Sequence, residues 1–221
     1  MTQEEIKQSD NYGDHPCTVE LVVIIIAGAL HVATEILVSP SVAEIYNILV
    51  SLCFLMYLVW RAMRSKNVLR VWGMRLDNFW TALRFQLSFG AVGVLLIFAF
   101  GMVVGSVSLP ATFWLTLGLY PVWGIAQQFA LQNLIARNLT GLLSHPLAIA
   151  CAAAVLFGMA HYPRAPLVFL TVLGGFFFTL IYHKFPNLWA VGIVHGILGA
   201  VAFYVVLGED PGAQIMKIVF G

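Results

Sequence analysis

Long apolar runs recur along the chain, separated by short polar segments. They cover approximately residues 19–38, 42–60, 84–105, 113–138, 146–162, 166–183 and 187–207. A transmembrane helix needs about 20 mostly apolar residues, and these runs approach or reach that length. Their apolar positions follow one another without alternation, whereas a membrane β-barrel shows alternating segments of about 10 residues. The pattern predicts an all-α fold, a polytopic transmembrane helical bundle of about seven spans, within limits of six to eight. The fourth run sets the upper limit. Pro110 and Pro121 bracket "ATFWLTLGLY", and Pro121 either starts or kinks the helix behind it. Residues 111–120 on their own would make an eighth element.

Composition excludes the soluble alternative. Of 221 residues, 61% are hydrophobic and 10% charged, and the mean hydropathy is +0.91. A soluble domain carries about 25% charged residues, so there is too little polar surface here to cover a globule in water. The run "VELVVIIIAGALHVATEILV" has no basic region before it and no small-residue cleavage site after it. It reads as a retained span rather than a signal peptide.

The charge distribution divides the chain. Residues 1–18 form an acidic tail, with Glu4, Glu5, Asp10 and Asp14 against Lys7, and residues 19–60 supply two transmembrane helices. Residues 61–84 carry Arg61, Arg64, Lys66, Arg70, Arg75 and Arg84 against Asp77. Residues 85–207 form a membrane-embedded core, and 208–221 a short C-terminal tail. Basic loops stay in the cytoplasm, which puts the basic segment and the N-terminus inside and makes Arg164 an exception. A membrane-adjacent basic segment faces anionic headgroups, so the partners expected are membrane lipids and no nucleic acid. Trp72, Leu76, Phe79, Trp80 and Leu83 recur at helical spacing, as in an amphipathic helix lying in the interface. A bacterial inner membrane suits this arrangement. Cys17, Cys53 and Cys151 have neither metal nor disulfide spacing and read as small apolar fillers.

Polar groups at membrane depth are costly and are functional candidates by default. Four sets qualify: Gln127, Gln128, Gln132, Asn133 and Arg137; His161; His195; and His31 with Glu35. Each also has a structural explanation, since such groups bond across helices and Arg137 can snorkel to the interface. The glycines flanking His195 suit close helix packing as well as a pocket. No tight metal motif is present. The sequence calls for no cofactor; a divalent metal, if one bound, would use His161 and His195.

Three ordered stretches carry a resemblance: "QQFALQ" (127–132), "FGMAH" (157–161) and "HGILG" (195–199). They resemble the motifs of the CPBP family, the CAAX prenyl endopeptidases and Abi (bacteriocin-immunity) proteins, over roughly residues 70–207. The family motifs read Glu-Glu-x-x-x-Arg, Phe-x-x-x-His and His-x-x-x-Asn. The resemblance implies an intramembrane endopeptidase, long described as a metalloprotease. Its first-motif carboxylate activates a water, and its histidines position that water and stabilise the oxyanion. Phe157, His161 and His195 match. Gln127 and Gln128 replace the glutamates, Gln132 the arginine and Gly199 the asparagine. An amide cannot serve as a general base near neutral pH, and losing a base typically costs about 10²–10⁴ in rate. Without two buried carboxylates a buried arginine has no partner, so replacing all three keeps the site neutral.

The catalytic positions expected are therefore Gln127, Gln128, Gln132, His161 and His195, in a divergent, pseudoenzyme-like member. Reduced or lost hydrolysis, with binding of a hydrophobic or lipidated peptide or of a protease partner, is the expected function. The alternative is an active endopeptidase using His161 and His195 with a base from elsewhere, for which Glu35 is the nominee. A transporter or scaffold would be the third class, but no internal repeat supports a transporter.

Overall fold

The computed structural model describes residues 15–65 and 67–220. The acidic residues of the N-terminal tail and Lys66 lie outside the described residues. The elements among the described residues are helices, joined by turns and coil. In order they are α1 (Thr18–Leu37), α2 (Pro40–Arg64), the short α3 (Val68–Val71), α4 (Phe79–Val104) and α5 (Ala111–Phe129). A π-helical stretch (Ala130–Ala136) and α6 (Arg137–Leu139) follow, then α7 (Pro146–Met159), α8 (Ala165–Lys184) and α9 (Leu188–Ala202). A second π-helical stretch (Phe203–Leu207) leads to α10 (Pro211–Phe220). Every expected span is present as a helix.

Among the described residues, five helical segments are long and apolar enough to cross a membrane: α1, α2, α4, α8 and Leu188–Leu207. The other two expected spans fall short for separate reasons. The polar residues of α5, Gln127 and Gln128 among them, dilute its apolar run. At 14 residues, α7 reaches about 21 Å at 1.5 Å per residue, less than the ~30 Å hydrocarbon layer. With its apolar helices, this is an integral membrane protein.

Local chemistry explains most of the ends. Pro40 and Pro146 sit in the first turns of α2 and α7, where a missing N–H costs nothing. Asn187 caps α9, its Oδ1 accepting from the Ala190 N–H at 3.0 Å. Gly105 closes α4 in the left-handed conformation, φ 71°, as a helix-ending glycine does.

Two expectations need correction. The segment 72–84 is not one amphipathic helix. Gly73 turns the chain at φ 71°, residues 72–78 are turn and coil, and the helix resumes only at Phe79. Trp72 is buried while Trp80 is exposed, so the two do not share an interfacial face. Residues 111–120 are not a separate element, because α5 runs through Pro121. The C-terminal tail holds α10.

The chain divides into two compact units. The first comprises Met1–Arg75 and Ala130–Leu180. Its apolar core joins Leu21 of α1, Leu131 and Ile135 of the π-helical stretch, and Ile149, Ala153 and Phe157 of α7. The second comprises Leu76–Phe129 and Ile181–Gly221, and its core includes Phe113, Val201, Tyr204 and Val205.

Within the second unit, α5 and α9 touch through their backbones. A Cβ on Gly196 would lie 2.4 Å from the Pro121 Cα, and one on Gly124 would lie 2.4 Å from the Gly192 carbonyl oxygen. Only glycine fits such crossings, a common device where membrane helices pack without hydrophobic drive. The unit is closed at one end by Asp210, whose carboxylate accepts from the Thr112 hydroxyl at 2.7 Å, the Tyr204 hydroxyl at 2.5 Å and the Ala213 N–H at 2.8 Å.

Two outcomes follow for stability. Gly196→Val places a branched side chain against the α5 backbone; overpacking of this kind costs about 1–3 kcal/mol. The loss is expected as a lower melting temperature of the purified protein, larger than that of Ala200→Gly. For Asp210, burial opposes the charged form, but hydrogen bonds from Tyr204, Thr112, Ala213 and Gly212 outweigh it and hold the carboxyl below its usual range. A carboxyl with a lowered folded-state pKa stabilises above the unfolded value of about 3.9. That contribution fades as pH falls from there through the lower folded-state value. The amide resonances of Gly212 and Ala213 are expected to shift across this acidic window, and to do so no longer in Asp210→Asn.

Candidate active site

The close crossing of α5 and α9 brings three candidate side chains together. His195 lies on α9 between Gly192 and Gly196, the glycines that touch α5. Gln127 and Gln128 lie in the last turn of α5. The His195 Nε2 is 2.9 Å from Gln127 Oε1, and the Gln128 Nε2 is 3.0 Å from His195 Nδ1. An amide nitrogen donates and an amide oxygen accepts. The ring therefore donates from Nε2 to Gln127 and accepts at Nδ1 from Gln128. Both nitrogens are engaged, and the set matches a neutral imidazole in its Nε2–H tautomer. Gln128 is fully buried, so its amide is held by packing as well as by the ring.

The remaining candidates belong to the first unit. Gln132, on the π-helical stretch, donates from Nε2 to the Thr179 hydroxyl of α8 at 3.3 Å. Asn133 donates to the Trp72 carbonyl at 3.2 Å. His161 lies beyond the end of α7, in the turn that follows Met159, and not inside a span. Its Nδ1 is 2.9 Å from the Phe157 carbonyl, and its ring sits edge-on to that of Phe157, centroids 4.9 Å apart. Donation from Nδ1 to the carbonyl leaves Nε2 as the basic nitrogen. The Phe157 and His161 of the second motif thus form one local structure.

Three other candidates have surroundings of their own. His31 Nδ1 pairs with Asn47 Oδ1 of α2 at 2.8 Å, and Glu35 is exposed. Arg137 donates to the His15 carbonyl at 2.9 Å rather than extending freely to the interface.

A buried ionic cluster escaped the reading of the sequence. Glu20, in the first turn of α1, pairs with Arg61 of α2 at 3.3 Å. It also accepts from the Tyr57 hydroxyl and from Asn138 Nδ2 at 3.0 Å. The Asn138 oxygen in turn accepts from the Cys17 N–H at 2.8 Å. Arg61 counted in the sequence as one of a solvated basic run; its spacing from Glu20 across a helical hairpin was the available signal.

The described residues do not fit a divalent metal. Both ring nitrogens of His195 are taken by amides, which are poor ligands for such ions. Among the described residues no group of three or more His, Cys, Asp or Glu side chains could hold one.

Residues 109–201 match the family described as Rce1-like, type II CAAX prenyl endopeptidase Rce1-like. The matched segment contains all three motifs and is shorter than the 70–207 of the sequence resemblance. Over that segment the chain is similar to this CAAX prenyl endopeptidase family. No curated protein and no solved structure matches the chain.

Removing one clamp tests the arrangement. Gln128→Leu removes the donor to His195 Nδ1; loss of a hydrogen bond of this kind costs about 0.5–1.5 kcal/mol. The melting temperature is expected to fall. Gln128→Glu with His195→Ala should recover none of it, since a carboxylate at 128 then has no ring to meet.

Proposed function

We propose that this chain is a CPBP-family membrane protein with reduced or lost hydrolysis, which binds a hydrophobic or lipidated peptide or partners an active protease. The observation that carries the reading is the pair of amides on His195. In the family the positions of Gln127 and Gln128 hold glutamates, and a carboxylate there accepts a proton from water. An amide keeps the shape of that contact and loses its basicity. The ring, saturated by one donor and one acceptor, becomes a fixed element of the α5–α9 crossing.

The carboxylates available elsewhere give little support to an active enzyme. Glu35 faces outward, and Glu20 is engaged by Arg61, Tyr57 and Asn138. For orientation, the basic residues after α2 favour a cytoplasmic N-terminus by the positive-inside rule, in a bacterial inner membrane. Arg61 contributes less to that signal than its neighbours because it is ion-paired.

The test is cleavage of lipidated and unlipidated transmembrane peptides by the purified protein. The parent is expected to show no turnover above background. The triple change Gln127→Glu, Gln128→Glu, Gln132→Arg is expected to raise turnover by at least about 10²-fold, the scale of a restored base. Cleavage by the parent that disappears in both His161→Ala and His195→Ala would overturn the loss of hydrolysis.

A further inference from the structure

One polar side chain took no part in either the motifs or the site. Gln86 lies on α4, inside the second unit. It is 0% exposed, and neither its amide nitrogen nor its amide oxygen has a hydrogen-bond partner among the described residues. The buried residues of α4 are Ala82, Gln86, Gly90 and Gly101, which fall on one stripe at helical spacing. That stripe meets α9 and the π-helical stretch that follows it. A Cβ on Gly90 would lie 2.6 Å from Val194 Cγ1, and one on Gly101 would lie 2.3 Å from Val205 Cγ1. Gln86 is one turn before Gly90, so its amide lies in the α4–α9 seam, a turn away from the neighbour of His195.

An orphaned amide in such a seam is expensive, because nothing in hydrocarbon can replace its lost hydrogen bonds. A methionine or leucine of similar size would pack there without that cost. The seam is also narrow. Ala82 and Gly90 give little side-chain interlock beside Gln86, whereas further along α4 Val94, Ile97 and Phe98 pack on the core of the unit. Its N-terminal end is held by Asn78, which donates to the Pro186 carbonyl at 3.1 Å and accepts from Asn187 Nδ2 at 2.9 Å. Stacking of Phe85 on Phe185 at 4.2 Å holds the same end.

We propose that Gln86 is a specificity-determining residue that receives the backbone of a bound apolar peptide when α4 parts from α9. The deduction rests on the peptide-binding reading above. A peptide unit that leaves its own helix inside the membrane brings one bare N–H and one bare C=O. The carboxamide of Gln86 complements both, Nε2–H donating to the carbonyl and Oε1 accepting from the N–H. Recognition through the backbone selects an unwound apolar segment rather than a particular side chain. The amide is unsatisfied in the resting structure and satisfied in the complex.

This predicts opposite effects of one substitution. In Gln86→Met, the resting protein should melt higher by about 2–4 °C, the shift expected in a chain of this size when one such burial penalty is removed. Binding of a fluorescently labelled, lipidated apolar peptide to the protein in nanodiscs should weaken about tenfold, with Gln86→Leu behaving alike. A lower melting temperature, or a variant that does not fold, means the amide is satisfied at rest and overturns the proposal. Unchanged peptide affinity beside a raised melting temperature overturns it alone and leaves peptide binding intact. A parent that binds no peptide overturns the functional reading and this proposal together.

Discussion

The backbone contact of α5 with α9 is the constraint on which the His195 arrangement depends. Helices that carry side chains at their crossing stay 8–10 Å apart, whereas Gly124, Gly192 and Gly196 remove the side chains at this one. Gly192 and Gly196 flank His195 along α9. Closeness and position are thus set by one stretch of sequence, "GIVHG". Pro121 adds to it, since its backbone lies where a Gly196 side chain would go. With α5 held there, two adjacent glutamines reach the two nitrogens of one ring.

The neutrality of the set follows from the same closeness. A buried carboxylate needs a partner charge or several donors. Two amides need only one donor and one acceptor from the ring, which a neutral imidazole supplies. The family's charged first motif and this chain's amides are two solutions to packing polar groups in a low-dielectric interior. The charged solution supports acid–base chemistry. The neutral one supports shape. Charge is not avoided throughout the protein, however. Glu20 and Arg61 are buried together in the first unit, where they tie α1 to α2, with Asn138 and Cys17 completing the set.

The fold was legible in the sequence because a membrane span is written in consecutive residues. All seven runs are helices, their ends near Pro40, Pro146, Gly105 and Asn187, where local chemistry sets them. The turn at Gly73 was harder to read: Trp72 and Trp80 fit a helical period, and only a positive φ at the glycine separates them. The histidine site was partly legible. Gln127 and Gln128 of the first motif meet His195 of the third, but spacing alone cannot say that both amides grip one ring. Glu20 and Arg61 were missed because a contact across a hairpin depends on how α1 and α2 are set against each other. Gln86 was missed for the same reason, its significance lying in what does not surround it.

The central claim is that two amides hold His195 as a neutral ring with its proton on Nε2. The most direct measurement is the ¹⁵N spectrum of selectively labelled histidine in the membrane-embedded protein at neutral pH, with His195→Gln to assign the signal. The account predicts a neutral His195 protonated at Nε2 and bare at Nδ1, and a change of that signal in Gln128→Glu. A ring protonated at both nitrogens, or at Nδ1 alone, would contradict it.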